Sequence, residues 1–426
     1  MQAFILIWFG QFVSLIGSGL TRFALGVWVY QNSGKVTQFA LISLFGMLPG
    51  ILISPLAGTL VDRWDRRWAM LLADAGAGLS TLLIALLLFA NQLQVWQIYL
   101  AVAVSSTFSA FQWPAYSATT TLLVPKQHLG RASGMVQMAD AVSRLISPIL
   151  AGSLVVTIRL QGVILIDCVT FLFAIATLML VQFPRPRITV EDNVGKGSLL
   201  HEVIYGWKYI TARPGLLGLL TFFAISNCFI GVVTVLVTPL VLSFASATVL
   251  GIVLSIGGSG MLVGGMVVTA WGGTKNRMNG ILGFTLLGGL CMVVAGLMPS
   301  VPVFFVVTFI YFFGVPIINS CDQAIWQSKV APAVQGRVFA LRRMLAWASL
   351  PLAYLIAGPL ADQVFEPSLA VGGVLAGSVG QIIGVGRGHG IALLLIVMGM
   401  LNMLVSIGGY LYQPIRLLEK QLPDAY

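Results

Sequence analysis

Apolar and polar positions alternate along the chain in long blocks: twelve apolar stretches follow one another, with mostly short polar connectors between them. The stretches cover approximately residues 4–30, 38–60, 68–91, 96–118, 133–157, 162–183, 215–243, 247–271, 278–298, 302–326, 338–362 and 389–412. About 20 residues at about 1.5 Å each cross about 30 Å of hydrocarbon, so every stretch predicts a membrane-spanning helix. The alternation over ~10 residues that marks an outer-membrane barrel strand does not occur. The first stretch is too long for a signal-peptide core and has no small-residue cleavage site, so it is expected to remain as a helix.

Composition agrees with lipid as the solvent. Of 426 residues, 58% are hydrophobic and 8% charged, against about 25% charged in soluble domains. The net charge of +10 is distributed by side. Of the 23 Lys and Arg residues, Lys35, Arg159 and Arg387 lie in one set of connectors, and Arg22 and Arg144 lie within spans. The remaining eighteen fall on the opposite side, with both termini. The positive-inside rule makes that side cytoplasmic. The charge is therefore topological, and nucleic acid is not expected as a partner. Cys168, Cys228, Cys291 and Cys321 all sit in apolar runs, which reads as small core residues rather than disulfides or ligands. No metal-binding or Walker-type motif occurs, so no metal or cofactor is expected and ATP-driven pumping would need a partner chain.

The one long polar stretch, 184–214, divides the chain into a six-helix segment 1–183 and a second segment 215–426. It opens with Pro184 and Pro186 and ends in LLHEVIYGWKYI. Leu200, Val203, Ile204, Trp207 and Ile210 recur there at helical spacing, predicting an amphipathic helix on the inner leaflet. The halves are related: a shift of 206 residues superposes Gly130-Arg131 on Gly336-Arg337 and Ala151-Gly152 on Ala357-Gly358. Two parallel six-helix repeats are the plan of the major facilitator architecture, with a site at mid-membrane.

Ionisable residues inside spans are costly and normally face a bundle interior or cavity. Asp140 and Arg144, four apart on one helical face, fall near mid-membrane, and Arg22 lies just beyond the middle of the first helix. One reading is a self-neutralising pair. The other makes Asp140 a proton carrier whose proton affinity changes as Arg144 or Arg22 moves beside it. Asp322, with Asn319 and Gln323 at the inner end of the tenth helix, is the second proton candidate. Asp74 and Asp167 lie close to span ends, where structural service and helix docking are the default readings. The eighth helix carries Gly257, Gly260, Gly264 and Gly265, a surface expected to face the fifth helix.

The connector Gly58-Thr-Leu-Val-Asp62-Arg63-Trp-Asp65-Arg66-Arg67 resembles the major facilitator motif between the second and third helices, with Asp65 where that motif has glycine. GQFVSLIGSGLTRFALGVWVYQ, FQWPAYSAT, ILIDCVTFLFA, WGGTKNR, QGRVFALRRM and LIAGPLAD are similar to the drug-and-siderophore exporter branch, which includes macrolide efflux and enterobactin exporters. Arg144-Leu-Ile-Ser-Pro148-Ile-Leu-Ala-Gly152 resembles that family's antiporter motif, but Arg144 and Ser147 replace glycines.

The resemblance implies an all-α membrane protein of two pseudo-symmetric six-helix bundles with cytoplasmic termini. It also implies a monomer in a bacterial inner membrane that exchanges an amphipathic small molecule for protons by alternating access. Asp62 is placed to accept from the exposed amides that open the helix near Gly336 and Arg337, where the helix dipole is positive. Gly58, Asp62, Arg63, Arg66 and Arg67, with Asp74, then form a gating latch; the plain alternative is a solvated, positive-inside anchor. The family's cavity draws on the first, fourth, seventh and tenth helices, which nominates Gln11, Phe108, Phe111, Gln112, Trp113, Asn227, Phe229 and Asn319 as lining residues. Besides substrate and protons, lipid is an expected partner. A lipid flippase of the same fold, a membrane-embedded transferase and a non-transporting scaffold are the competing readings. The transferase lacks a convergent acid/base cluster, and a scaffold needs neither intramembrane charges nor a latch.

Overall fold

The computed structural model describes residues 2–181, 199–274, 276–331 and 334–423. The predicted linker segment from Pro184 to Ser198 lies outside them, as do the burial of Gly58 and the side chains of Asp62, Arg63, Arg66 and Arg337. The described residues form helices and short connections, with no strand among them. In chain order the helices are α1 (Gln2–Ser33), α2 (Val36–Phe45), α3 (Leu48–Arg63), α4 (Arg66–Phe89), α5 (Val95–Leu123), α6 (Leu129–Thr157) and α7 (Arg159–Leu180). There follow α8 (Leu199–Thr211), α9 (Pro214–Phe244), α10 (Ala247–Trp271), α11 (Arg277–Leu297), α12 (Val301–Lys329) and α13 (Gln335–Pro359). The last are α14 (Glu366–Ser368), α15 (Gly380–Ile383), α16 (His389–Leu411), α17 (Gln413–Arg416) and α18 (Leu418–Gln421).

Local chemistry explains several boundaries. The second predicted span is broken between α2 and α3, because Pro49 has no N–H to continue the ladder. Gly50 N is instead satisfied by Ser106 Oγ at 3.1 Å. Asp65 is the N-cap of α4, its Oδ1 accepting from Arg67 N at 2.8 Å. An aspartate is favoured there by an orphan amide and by the positive helix end, which accounts for the departure from the motif's glycine. After Pro359 the chain runs through a π turn, Leu360–Phe365, and ends in α14. Glu366 of α14 accepts from Gly388 N and Ile391 N, each at 3.1 Å, and so caps α16.

Eleven helical stretches among the described residues are long and apolar enough to cross a membrane. The fourth predicted span is present as the 29-residue α5 but is not one of the eleven. Ser105, Ser106, Thr107, Ser109 and Gln112 dilute its hydropathy. The predicted inner-leaflet helix is α8, yet Ile210 is fully buried in a protein core with Leu219, Ile281 and Trp326 rather than turned to lipid.

The helices form two compact units. One comprises Met1–Ile188 with Ala245–Ser255, the other Thr189–Phe244 with Ile256–Tyr426. Lipid tails are as apolar as leucine, so helices associate through close packing and interhelical hydrogen bonds rather than by escaping water. In the first unit Ser143 Oγ donates to Leu15 O at 3.1 Å and Ser147 Oγ to Ile16 O at 3.3 Å, joining α6 to α1. Ser147, where the antiporter motif has glycine, also lies against Gly19. In the second unit Ser406 Oγ donates to Leu282 O at 2.6 Å, joining α16 to α11.

Helix α10 corrects an expectation. Gly260 and Gly264 lie against the backbone carbonyls of Phe309 and Phe313, so the GxxxG step faces α12 and not the fifth spanning helix. Gly251, one to two turns into α10 from its start, is what meets α6, against Pro148 O and Gly152. Ser255 Oγ then donates to Leu145 O at 2.6 Å, and Thr248 Oγ1 to Gly152 O at 3.1 Å. These contacts place the beginning of α10 with the first unit.

Candidate functional site

Three polar clusters interrupt the apolar interior. In the first unit α1, α4 and α5 bring Gln11, Asp74 and Gln112 together. Gln11 Nε2 donates to Asp74 Oδ2, and Gln112 Nε2 donates to Asp74 Oδ1 and to Gln11 Oε1, all at 2.7 Å. Asp74 is only 1% exposed. Its partners among the described residues are thus two neutral amides. Arg67 donates from Nη2 to Met179 O at 2.8 Å. Near the same end, the rings of Trp64 and Phe111 stack with centroids 6.4 Å apart, and Phe108 covers Gly76. Trp113 is exposed, 62% accessible.

The second cluster lies in the same unit. Arg144 Nε and Asp140 Oδ2 pair at 2.8 Å along α6, with side-chain exposures of 68% and 47%. Arg22 is exposed on α1 and lies within electrostatic range of Arg144, Asp140 and Asp167. Asp167 on α7 is buried, accepts from Thr81 Oγ1 at 3.4 Å and packs against Gly17. Its Oδ1 has no hydrogen-bond partner among the described residues.

The third cluster belongs to the second unit. Arg342 of α13 forms an ion pair with Asp322 of α12, whose side chain is 6% exposed against 21% for the arginine. Arg342 Nη1 also donates to Gln323 Oε1 at 3.2 Å, and its guanidinium lies 5.3 Å from the Trp326 ring centroid. Asn319 is exposed, Phe229 is half-buried, and Asn227 makes a long 3.5 Å contact with Ala346 O. The backbone places Gly336 and Arg337 at the start of α13 and Asp62 near the end of α3. No group of His, Cys, Asp and Glu among the described residues is arranged to hold a metal.

Sequence reasoning missed Arg342, counting it with the cytoplasmic cations. At seven residues into α13 it stands about 10 Å along the helix, so its depth was legible, but the partner 20 positions earlier was not. It also separated Asp74 from the two glutamines, because three residues on three helices share no local spacing.

A family model for the Major Facilitator Superfamily matches residues 7–353. The chain belongs to the Major Facilitator Superfamily. Within it, the chain is similar to named drug exporters. It is 27% identical over 365 residues to macrolide efflux protein A of Streptococcus pyogenes, covering 85% of this chain and 90% of that protein. It is 24% identical to the multidrug efflux pump Tap of Mycobacterium tuberculosis, covering 84% and 86%. Solved structures show the same all-α superfamily fold. A bacterial homolog of the human lysosomal transporter Spinster, inward-facing and unoccupied, aligns with a TM-score of 0.71 at 14% identity, over 98% of this chain and 97% of that one. The nucleoside transporter NupG aligns at 0.71 with 11% identity, over 99% and 100%. The superfamily member described here is accordingly a multi-pass membrane transporter.

Proposed function

We propose that this transporter exports a hydrophobic or amphipathic small molecule from the cytoplasm of a bacterium across its inner membrane, in exchange for protons. Export is supported by the two drug-efflux relatives, which match over most of their length. The geometric support is the exposure of Arg144 and Asp140 on a helix that spans the membrane. Charges held against hydrocarbon are too costly to persist, so intramembrane charges with open faces belong to a water-filled path. Such a path is what a carrier needs for both cargo and protons. Alternating access, opening the cargo site to one side of the membrane at a time, completes the proposal.

Asp140 is the proposed proton carrier, with Arg144 one turn away and Arg22 nearby. Moving one charge through 100 mV is worth about 2.3 kcal/mol, so one carboxylate suffices to drive accumulation. In inverted vesicles Asp140→Asn is expected to abolish gradient-driven uptake while preserving substrate exchange at equal concentrations. Continued accumulation by Asp140→Asn together with failure of Asp322→Asn would move the proton site to α12. Dependence on sodium instead would overturn proton coupling. The gating motif enters the same proposal: Asp62→Asn should cut transport and leave the protein inserted and folded, since a hydrogen bond to a charge is worth about 1.5–3 kcal/mol in a two-state balance. Normal transport by that variant would remove Asp62 from the mechanism.

A further inference from the structure

The second unit contains a groove of about 490 Å³ that none of the transport residues touches. It runs between α9 and α16 and is lined by Leu217, Phe222 and Ile225 on one side and by Val405, Gly408 and Tyr412 on the other. From Pro214 to Ile225 it follows α9 for about 17 Å. Its walls are apolar in effect, because the hydroxyls of Thr211 and Thr221 turn back to the carbonyls of Trp207 and Leu217, each at 2.9 Å. Gly408 keeps it open: a Cβ there would meet no atom within 4 Å.

The two ends of this groove differ in chemistry. Around Pro214 and Ile415, both lining residues, stand Arg213 and Arg416, with Lys208 and Lys420 one turn beyond. Arg213 lies 3.7 Å from the Tyr209 ring centroid and Arg416 5.5 Å from that of Tyr410, so both guanidinium groups rest on aromatic faces. Exposed Tyr205, Trp207, Tyr410 and Tyr412 gather at the same end, as aromatic residues do at a membrane–water boundary. The nearby carboxylate, Glu419, accepts from Met278 N at 3.2 Å, capping α11. Arg213 Nη1 donates to Tyr209 O at 3.0 Å, and neither Arg213 nor Arg416 belongs to the Arg144–Asp140 or Arg342–Asp322 ion pair. The far end, toward Ile225 and Val405, is wholly apolar.

We propose that this groove is a binding site for one anionic phospholipid, held as a resident molecule and not as cargo. An acyl chain fills the space over Gly408, and the phosphate head meets Arg213 and Arg416. Basic pockets between spanning helices on the cytoplasmic side select anionic heads, each basic side chain contributing a factor of about five in affinity. A zwitterionic lipid satisfies the apolar wall but lacks the net charge, and a free anion satisfies only the arginines.

Native mass spectrometry of the purified full chain with phosphatidylglycerol or phosphatidylcholine of identical acyl chains tests this. The wild type should retain phosphatidylglycerol preferentially. Arg213→Gln/Arg416→Gln should lose about 30-fold of that affinity, and the preference with it, while phosphatidylcholine binding stays unchanged. Gly408→Leu should reduce retention of both lipids. It replaces an exposed glycine by a better helix former, so its unfolding midpoint in detergent should not fall. Gly283→Leu, at another exposed position where a Cβ meets nothing within 4 Å, should behave as wild type. Equal retention of the two lipids by the wild type, or wild-type retention by both Gly408→Leu and the double arginine variant, would overturn the proposal.

Discussion

Asp74 and Asp322 are both buried carboxylates inside spanning helices, and the two units hold them by opposite means. Asp74 is embraced by Gln11 and Gln112, whose amides carry no charge. Asp322 faces Arg342 in an ion pair roofed by Trp326. Amide donors satisfy a carboxyl group whether or not it carries a proton, after a flip of the amide. An arginine partner ties the site to the ionised form, since either charge left alone in the interior is expensive. The first unit is thus built to tolerate a change of protonation at Asp74, and the second to resist one at Asp322. A third acid, Asp140, differs from both in being exposed along with its arginine.

The comparison breaks most readily at Arg342. Arg342→Met strands Asp322 and should cost about 3–5 kcal/mol, read as a large fall in the unfolding midpoint in detergent. Adding Asp322→Leu should recover most of that loss, because a neutral, well-packed pair replaces an uncompensated charge. A small effect of the single change would mean the pair is not buried in the working protein. Next comes Asp74→Leu, which leaves two amide donors facing an apolar side chain and should cost about 1–3 kcal/mol. Asp74→Asn, which preserves one acceptor, should cost clearly less; equal losses would show that the negative charge itself is what the glutamines require. Removing the α4 cap with Asp65→Ala should cost about 1 kcal/mol, with Asp65→Ser recovering most of it. The smallest stability effect is expected for Asp140→Asn, under about 1 kcal/mol, because an exposed pair four residues apart on a helix gains little. Its unfolding midpoint should match wild type, so a transport defect there is cleanly functional.

Much of the fold was legible because periodicity and length are local. The spans read from residues 133–157 and 162–183 reappear as α6 and α7 within a few residues. The break at Pro49 and the cap at Asp65 were equally local, and only the motif comparison, which expected glycine, hid the second. The candidate site was legible residue by residue but not as groups. Asp140 and Arg144 were paired from their spacing alone, four apart on one helix. Gln11, Asp74 and Gln112 lie 63 and 38 positions apart, and their hydrogen bonds exist only once α1, α4 and α5 are packed. Nor could spacing show which face of α10 its glycines would serve. Two different helices approach it, α6 near Gly251 and α12 near Gly260 and Gly264.

By itself, the sequence determined that lipid is the solvent, that the chain crosses it many times as helices, and which family plan it follows. Each of these depends on the free energy of moving individual segments between water and hydrocarbon, a quantity additive along the chain. The partner of each buried charge was decided by tertiary structure alone. In hydrocarbon a polar group accepts whichever donor the neighbouring helices bring within reach, and that choice is set by packing between segments remote in sequence. Arg342 at Asp322, two glutamines at Asp74 and the open face of Asp140 and Arg144 are outcomes of that packing.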